Sequence, residues 1–494
     1  MDYISTRDTS EVPRSIPSAQ AIKTGIAPDG GLFMPNEIPT LAPDGIKRLC
    51  ALPYEKRACE ILSMFLTDYD KSLLEKDCAE AYSEERFPGG PAPVVSLGGG
   101  IYSLELWHGP TCAFKDMALQ IMPRLLSRAL AMTSENKLAH ILVATSGDTG
   151  KAALEGYRDV PGVKITVFYP CDGVSPMQKR QMVTQEGSNV KVCAVRGNFD
   201  DAQTGVKKIF GNSEYAKRAS DEGFFFSSAN SINWGRLAPQ IVYYISAYCD
   251  LVNNNEIFEG DIVNVCVPTG NFGNIFAAYI AKQMGLPIGK LICASNSNCV
   301  LTDFIESGEY DRTREFYKTM SPSMDILVSS NLERLLFLLG GAELASDCME
   351  ELNSTGKYRV PYSVLETIHE NFAGYFCSDT ETSEIIGSTF ENIGYLIDPH
   401  TAVGLGCAQK YVEESGDTRK IILASTANPY KFAKDVCDCL DIEPDSDKPE
   451  DIIAALEEKS GEKAPAQLTR TLSMPVRFDG VCDRDKMVDV VFSD

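Results

Sequence analysis

The chain is short of positive charge. Lys and Arg total 46 against 69 Asp and Glu, a formal net charge of −23. That balance argues against nucleic acid or an anionic membrane as partner, since both would be repelled. No run of 18 apolar residues occurs, which argues against a membrane-spanning helix. The opening Met1-Asp-Tyr-Ile-Ser-Thr-Arg7 lacks the charged-then-apolar layout of a secretory signal, so a cytoplasmic location is the default expectation. Histidine is scarce, with 4 residues, and H-E-x-x-H or comparable ligand spacing is missing; the sequence calls for no metal. The 16 cysteines run from Cys50 to Cys482 with one tight pair, Cys437 and Cys439, and no second pair to complete a zinc site. They read as small buried hydrophobes. Three catalytic signatures are missing too. Thr145 and Ala152 break the P-loop spacing around Lys151, no G-x-G-x-x-G opens a helix, and no G-x-S-x-G is found.

What is present is a long, glycine-rich chain. At 494 residues, 44% hydrophobic and with 38 Gly, it can bury a core in two or three domains. From about 138 to 300, strands and amphipathic helices alternate. Leu138–Ala144, Val163–Phe168, Val190–Val195, Asp261–Val267 and Leu291–Ala294 read as strands. Thr149–Arg158, Pro176–Glu186, Asp200–Phe210 and Asn274–Met284 read as helices. Such alternation predicts a mostly parallel sheet covered on both faces, with ligands at the carboxyl ends of its strands. Residues 1–95, helix-rich with proline joints, form an N-terminal layer. The remaining boundaries fall at 96–250, 251–440 and an acidic tail, 441–494, which contains a helix at Glu450–Lys459. Residues 301–395 read as mainly helical, and Lys420–Ala424 as a short strand.

Three segments carry chemistry. Lys115 stands in His108-Gly-Pro-Thr-Cys-Ala-Phe-Lys115-Asp. Thr145-Ser-Gly-Asp-Thr-Gly150 and Pro268-Thr-Gly-Asn-Phe-Gly273 are strand-to-helix loops. Glycines let the backbone approach an anion there, and a helix N-terminus supplies N–H donors. A lysine is usually solvated, but one bracketed by anion-binding loops suits a Schiff base with a phosphorylated aldehyde, the chemistry of pyridoxal 5'-phosphate (PLP). The ordinary reading of the Thr145 loop is a helix capped by Asp148 or Thr149. Gly197-Asn-Phe-Asp200, a near copy of the second loop, reads as a cap by Asp200 or Asn198. In Ser228-Ala-Asn-Ser-Ile-Asn-Trp-Gly-Arg236, the residues Asn230, Ser231 and Arg236 together suit a second phosphate. His140 and His369 read as strand-edge and helix-face residues.

With these motifs in order, the chain resembles the threonine synthases, in the longer branch of the fold-type II PLP enzymes. The resemblance extends to Tyr3-Ile-Ser-Thr-Arg7, Ala27–Pro35, Asp398–Val403 and Thr426–Phe432, and so covers nearly the whole length. It implies an α/β fold of two parallel-sheet domains with the cofactor cleft between them, beside the N-terminal layer. It implies that Lys115 is the Schiff-base lysine and that Gly270, Asn271, Phe272 and Gly273 cradle the cofactor phosphate. Ser146, Gly147, Asp148 and Thr149 match the residues that hold the substrate carboxylate and the cofactor hydroxyl. Asn230, Ser231 and Arg236 match substrate-phosphate contacts. Thr426, or its neighbour Ser425, matches the residue facing the pyridine nitrogen. Asn428 departs from the pattern, where the longer branch usually has His, and Asp148 is Asn in many relatives. The implied reaction turns O-phospho-L-homoserine and water into L-threonine and phosphate, in a monomer or homodimer. Two alternatives stand beside it: a phospho-lyase releasing 2-oxobutanoate, and a non-catalytic PLP-binding protein.

Overall fold

The computed structural model describes residues 1–145, 147–171 and 174–493, and of residues 199 and 200 it describes the backbone only. Two sheets position everything else. The larger has six strands in the order Phe372–Phe376, Ile288–Ser295, Val263–Pro268, Ile421–Ser425, Ile101–Glu105, Val94–Gly98. All are parallel except Val94–Gly98, which returns antiparallel through the turn at Gly98-Gly-Gly100. The smaller sheet is parallel throughout, in the order Val481–Cys482, Val190–Val195, Val163–Pro170, Leu138–Ala144, Phe224–Ser227. Inner strands such as Val263–Pro268 and Ile421–Ser425 are buried at every residue. Helices cover both faces, so these strands are continuous apolar runs rather than alternating ones.

The alternation read between 138 and 300 is present as α/β units. The helices span Asp148–Tyr157, Pro176–Val183, Phe199–Phe210 and Gly273–Gln283. Asn198 caps the third, sharing a capping box with Asp201. Trp234–Asn253 is buried along nearly its whole length, which accounts for its apolar residues on all sides. It packs against Gly273–Gln283 of one unit and Asp116–Leu119 of the other.

The N-terminal layer contains the helices Ser18–Thr24, Gly45–Cys50, Tyr54–Phe65 and Lys71–Ala81. It also holds a three-stranded antiparallel sheet, Ile16–Pro17, Asp2–Ser5, Phe33–Pro35. The Tyr3–Arg7 motif has a structural task. Arg7 clamps Glu333 with Nε and Nη2, at 2.8 and 2.7 Å, and Thr6 Oγ1 donates to the same carboxylate. The neighbouring Arg334 donates to the carbonyls of Phe33, Ser231 and Ile232. The chain's start is thereby fastened to the Ser228–Arg236 loop.

Residues 301–395 are mainly helical, as expected, and Phe372–Phe376 among them is the edge strand of the large sheet, too short to signal itself by period. Two expectations change. The boundaries at 96 and 440 cut across the sheets. Strands Val94–Gly98 and Ile101–Glu105 belong with Val263–Pro268, and Val481–Cys482 in the acidic tail pairs with Val190–Val195. His140 lies in an inner strand, not at an edge. Its Nε2 meets Thr166 Oγ1 at 2.8 Å, and burial pushes its pKa down to about 3. No helix among the described residues is long and apolar enough to cross a membrane, and no cluster of metal-ligating side chains occurs among them.

Candidate active site

Parallel strands bring their carboxyl ends to one edge of a sheet, and there the quoted loops collect. Lys115 follows Ile101–Glu105, Thr426 follows Ile421–Ser425, and Gly270 follows Val263–Pro268, three neighbouring strands. The first two segments are tied directly. Phe114 N–H donates to Thr426 O at 2.8 Å, Asn428 N–H donates to Cys112 O at 3.1 Å, and Ala113 bridges Ala427. Lys115 is thus fixed against the residues that end the central strand.

The turn before Lys115 requires a glycine. A Cβ on Gly109 would lie 2.6 Å from the Asp116 side chain and 2.8 Å from Phe87. Asp116 is fully buried and accepts from Thr111 N–H and Oγ1 at 2.7 and 2.8 Å; burial raises its pKa to about 6 against those bonds. The Lys115 amine has no hydrogen bond or ion pair among the described residues. Burial lowers its pKa to about 8, with Arg236 and Lys431 acting the same way and Asp148 opposing. About a tenth of it is therefore uncharged at pH 7, far more than for an ordinary lysine.

Asp148 opens the helix Asp148–Tyr157 but does not cap it. Thr145 Oγ1 does so, accepting from Gly147 and Gly150 N–H at 2.9 Å each, which corrects the capping expected of Asp148 or Thr149. Asp148 Oδ1 instead takes Lys431 Nζ at 2.7 Å and Gln178 Nε2 at 2.9 Å. Burial alone would raise this carboxyl; Lys431, Lys115 and Gln178 together hold it well below the usual carboxylate range. Gly147 has φ 149°, and a Cβ there would strike Gln178 at 2.5 Å. Thr149 follows at the start of the helix. Ser146 lies outside the described residues.

The loop after Val263–Pro268 has the form of an anion cradle. Ser329 Oγ donates to Gly270 O at 2.8 Å, and Asn331 donates through N–H and Nδ2 to Asn271 O. With its carbonyls bound behind, the loop leaves the N–H groups of residues 271–275 without an acceptor among the described residues. A Cβ at Gly270 would sit 2.7 Å from Ser323 O, and one at Gly273 would sit 3.2 Å from Asn331 Nδ2. Phe272 holds φ 60°, a left-handed conformation rare for a bulky side chain and typical of functional loops. Asn274 comes next. Its Oδ1 receives the hydroxyls of Tyr243 and Tyr244, while its Nδ2 is buried with no partner.

Arg236 is a second buried cation with an unsatisfied donor among the described residues. It is 3% exposed, donates Nη1 to Ala229 O, and leaves Nε unpaired. No carboxylate contacts it among the described residues. Burial pulls its pKa down to about 10, against the pull of Tyr157 and Tyr243. The Asn230 and Ser231 side chains are half-buried and make no hydrogen bond among the described residues. Gln240 connects this group to the phosphate-type loop, donating Nε2 to Arg236 O while lying 3.9 Å from the place a Gly273 Cβ would occupy.

Of the two candidates at the central strand's end, Ser425 is committed. Its Oγ accepts from Trp107 Nε1 at 2.9 Å and Thr401 Oγ1 at 3.2 Å. The Thr426 hydroxyl makes no hydrogen bond among the described residues, so it is the one available to a ligand. Asn428 caps the following turn by accepting from Tyr430 N–H at 3.0 Å. His400 lies nearby as a bridge. Its Nδ1 donates to Asp398 at 2.9 Å, and its Nε2 accepts from Ser323 N–H at 3.1 Å.

Sequence reasoning missed Lys431, Gln178 and Asn274. Lys431 was signalled by a charge inside the otherwise apolar Pro429–Phe432, and Asn274 by its place one residue past the cradle. Gln178 carried no signal, because its role depends on a fold-back of 30 residues.

Three family models match consecutive stretches: "Threonine synthase N terminus" over residues 2–82, "Pyridoxal-phosphate dependent enzyme" over 87–426, and "Threonine synthase, C-terminal" over 401–491. Threonine synthase-like 1 of Homo sapiens is 42% identical over 436 residues, 86% of this chain; the chain spans only 58% of that relative's length. Threonine synthase of Saccharomyces cerevisiae is 36% identical over 474 residues, 89% of each chain. A solved structure of PLP-bound threonine synthase from Brucella melitensis superposes with a TM-score of 0.87 at 35% identity, covering 99% of this chain and 98% of that one.

Proposed function

The chain belongs to the threonine synthase family of PLP-dependent enzymes, and from that premise we propose that it converts O-phospho-L-homoserine and water to L-threonine and phosphate. One observation carries the reading: two separate anion-accepting groups accompany Lys115, which is unpaired among the described residues. The first is the row of N–H donors at 271–275, and the second is Arg236, each buried or bound in the fold without an anionic partner among the described residues. A cofactor and a substrate that each bear a phosphate need two such places.

The residues fit the cofactor. Gly270, Asn271, Phe272 and Gly273, with the orphaned Nδ2 of Asn274, would hold its phosphate, and a Cβ at Gly270 would collide with the Ser323 carbonyl. Lys115 would bind its aldehyde carbon. Asp148, paired to Lys431, would lie toward its hydroxyl, and Thr426 toward its ring nitrogen. When bound, PLP supplies an electron sink for negative charge on the substrate's Cα.

The chain's own groups do the rest. With its lowered proton affinity, Lys115 takes a proton from the substrate and later returns it. Ser146, Gly147 and Thr149 are assigned to the substrate carboxylate at a helix N-terminus. Asn230, Ser231 and Arg236 are assigned to the substrate phosphate, where a planar fork stabilises the charge that builds as the phosphate departs. The site must supply this attraction locally, since the whole chain carries −23.

The test is phosphate release from O-phospho-L-homoserine with both organic products quantified. Stoichiometric threonine supports the proposal. 2-Oxobutanoate as the main product would replace it with a phospho-lyase, and PLP binding without phosphate release would make the chain a cofactor-binding protein alone.

A further inference from the structure

The Asp148–Lys431 pair poses a question of partner choice. Asp148 is a buried carboxylate near two lysines, Lys115 and Lys431, and it bonds only one. Lys431 Nζ reaches Asp148 Oδ1 at 2.7 Å, with side-chain exposures of 0% and 4%. The same ammonium donates to Thr111 O at 2.8 Å. Thr111 in turn holds Asp116, the residue after Lys115, through its N–H and hydroxyl. Gln178, pinned by its capping box with Ser175, completes the grip on Asp148 Oδ1. The elements carrying Thr111, Asp148 and Lys431 therefore meet at one nitrogen, and Lys115 is left outside the knot.

We propose that Lys431 is a positioning residue: it takes Asp148 as its own counterion and thereby keeps Lys115 without an anionic partner, as a free amine. The proposal rests on the reading of Lys115 as the cofactor lysine. Its physical basis is competition. A buried carboxylate needs a cation, and besides Lys431 the cation whose charge acts on Asp148 is Lys115. Lys115, unbonded among the described residues, would pair with it and hold its proton to higher pH. Opposite charges at contact typically raise a lysine's proton affinity by about 1 unit or more. The charged groups facing Lys115 are Asp148 from its helix, Arg236 from the buried helix, Lys431 from the turn after the central strand, and Asp116 beside it. Lys151, in the next turn of the Asp148 helix, is occupied by Glu155 at 3.3 Å.

The experiment uses the full-length chain freed of cofactor. Lys115 acylation is followed by peptide mass spectrometry as a function of pH. In Lys431→Met the titration midpoint of Lys115 should rise by about 1 unit or more. Capture of added PLP at pH 7 should slow by about tenfold, in proportion to the free amine. Lys431→Arg should keep the midpoint near wild type. Asp148→Asn should lower it, because an attracting anion is removed while Arg236 and Lys431 stay. Lys431→Met with Asp148→Asn should return the midpoint to wild type or below, an outcome that lost packing would not produce. An unmoved midpoint in Lys431→Met, or a double variant that stays high, overturns the proposal. Should Lys431→Met not fold, Asp148→Asn decides, and a rise there overturns it. The parent reading fails separately: PLP and borohydride would then label a lysine other than Lys115 in the wild-type chain.

Discussion

Replacing Arg236 by alanine separates substrate use from cofactor binding. In the free chain its guanidinium is buried, bound through Nη1 to Ala229 O, with Nε unpaired and no carboxylate in contact among the described residues. A fold that buries a cation this way gains little from it, and the depressed pKa of about 10 is the mark of that cost. Deletion should therefore leave the fold intact. The loss should fall on the phosphate: removing a charged hydrogen-bond donor costs about 1.5–3 kcal/mol, or roughly tenfold to a hundredfold in kcat/KM for O-phospho-L-homoserine. Arg236→Lys keeps a charge but not the fork, and should recover part of the loss. Inorganic phosphate provides an independent check, because it should compete with substrate in wild type. At ten times its Kd it should stabilise the wild-type fold by about 1.4 kcal/mol, and the alanine variant much less. The assays are steady-state kinetics, PLP titration and thermal unfolding with and without phosphate. The reasoning is refuted if PLP affinity collapses in Arg236→Ala while the KM for O-phospho-L-homoserine is unchanged, for Arg236 would then serve the cofactor.

Three other outcomes are expected. Lys115→Ala should lose both the visible absorbance of bound PLP and turnover; a borohydride-stable adduct at another lysine would move the assignment. Gly270→Ala places a Cβ 2.7 Å from Ser323 O, itself held through the His400 bond to Ser323 N–H, so the loop must shift. Overpacking of this kind costs about 1–3 kcal/mol and should weaken PLP binding roughly fivefold to a hundredfold, with equilibrium dialysis as the measurement. Thr426→Asp puts a carboxylate where we assign a hydroxyl to the ring nitrogen, and should favour the protonated ring, changing the absorbance spectrum and increasing by-products; identical spectra and product ratios would place that contact elsewhere.

The alternation of strands and helices from 138 to 300 was legible because parallel strands buried on both faces must be apolar runs, and their helices must carry a 3.6-residue period. The glycine loops were legible for a related reason: strand-to-helix turns packed this closely tolerate few other residues. Those features are local, and local chemistry decides them. Phe372–Phe376 was not legible, since a five-residue apolar stretch among helices has no period of its own and becomes a strand only when Ile288–Ser295 offers an edge. Nor was the pairing of Val481–Cys482 with a strand almost 300 residues earlier. The same division runs through the site. The sequence by itself determined that Lys115 is followed by two glycine-bearing strand-to-helix loops, to which we assign anion binding. Only the tertiary structure decided which lysine Asp148 would hold, because that choice depends on Lys431 and Gln178 arriving from separate segments at one buried carboxylate oxygen, with the Thr111 carbonyl holding the Lys431 ammonium from a third. Charge pairing in a low-dielectric interior acts over a few ångströms in space, and no spacing along the chain encodes it.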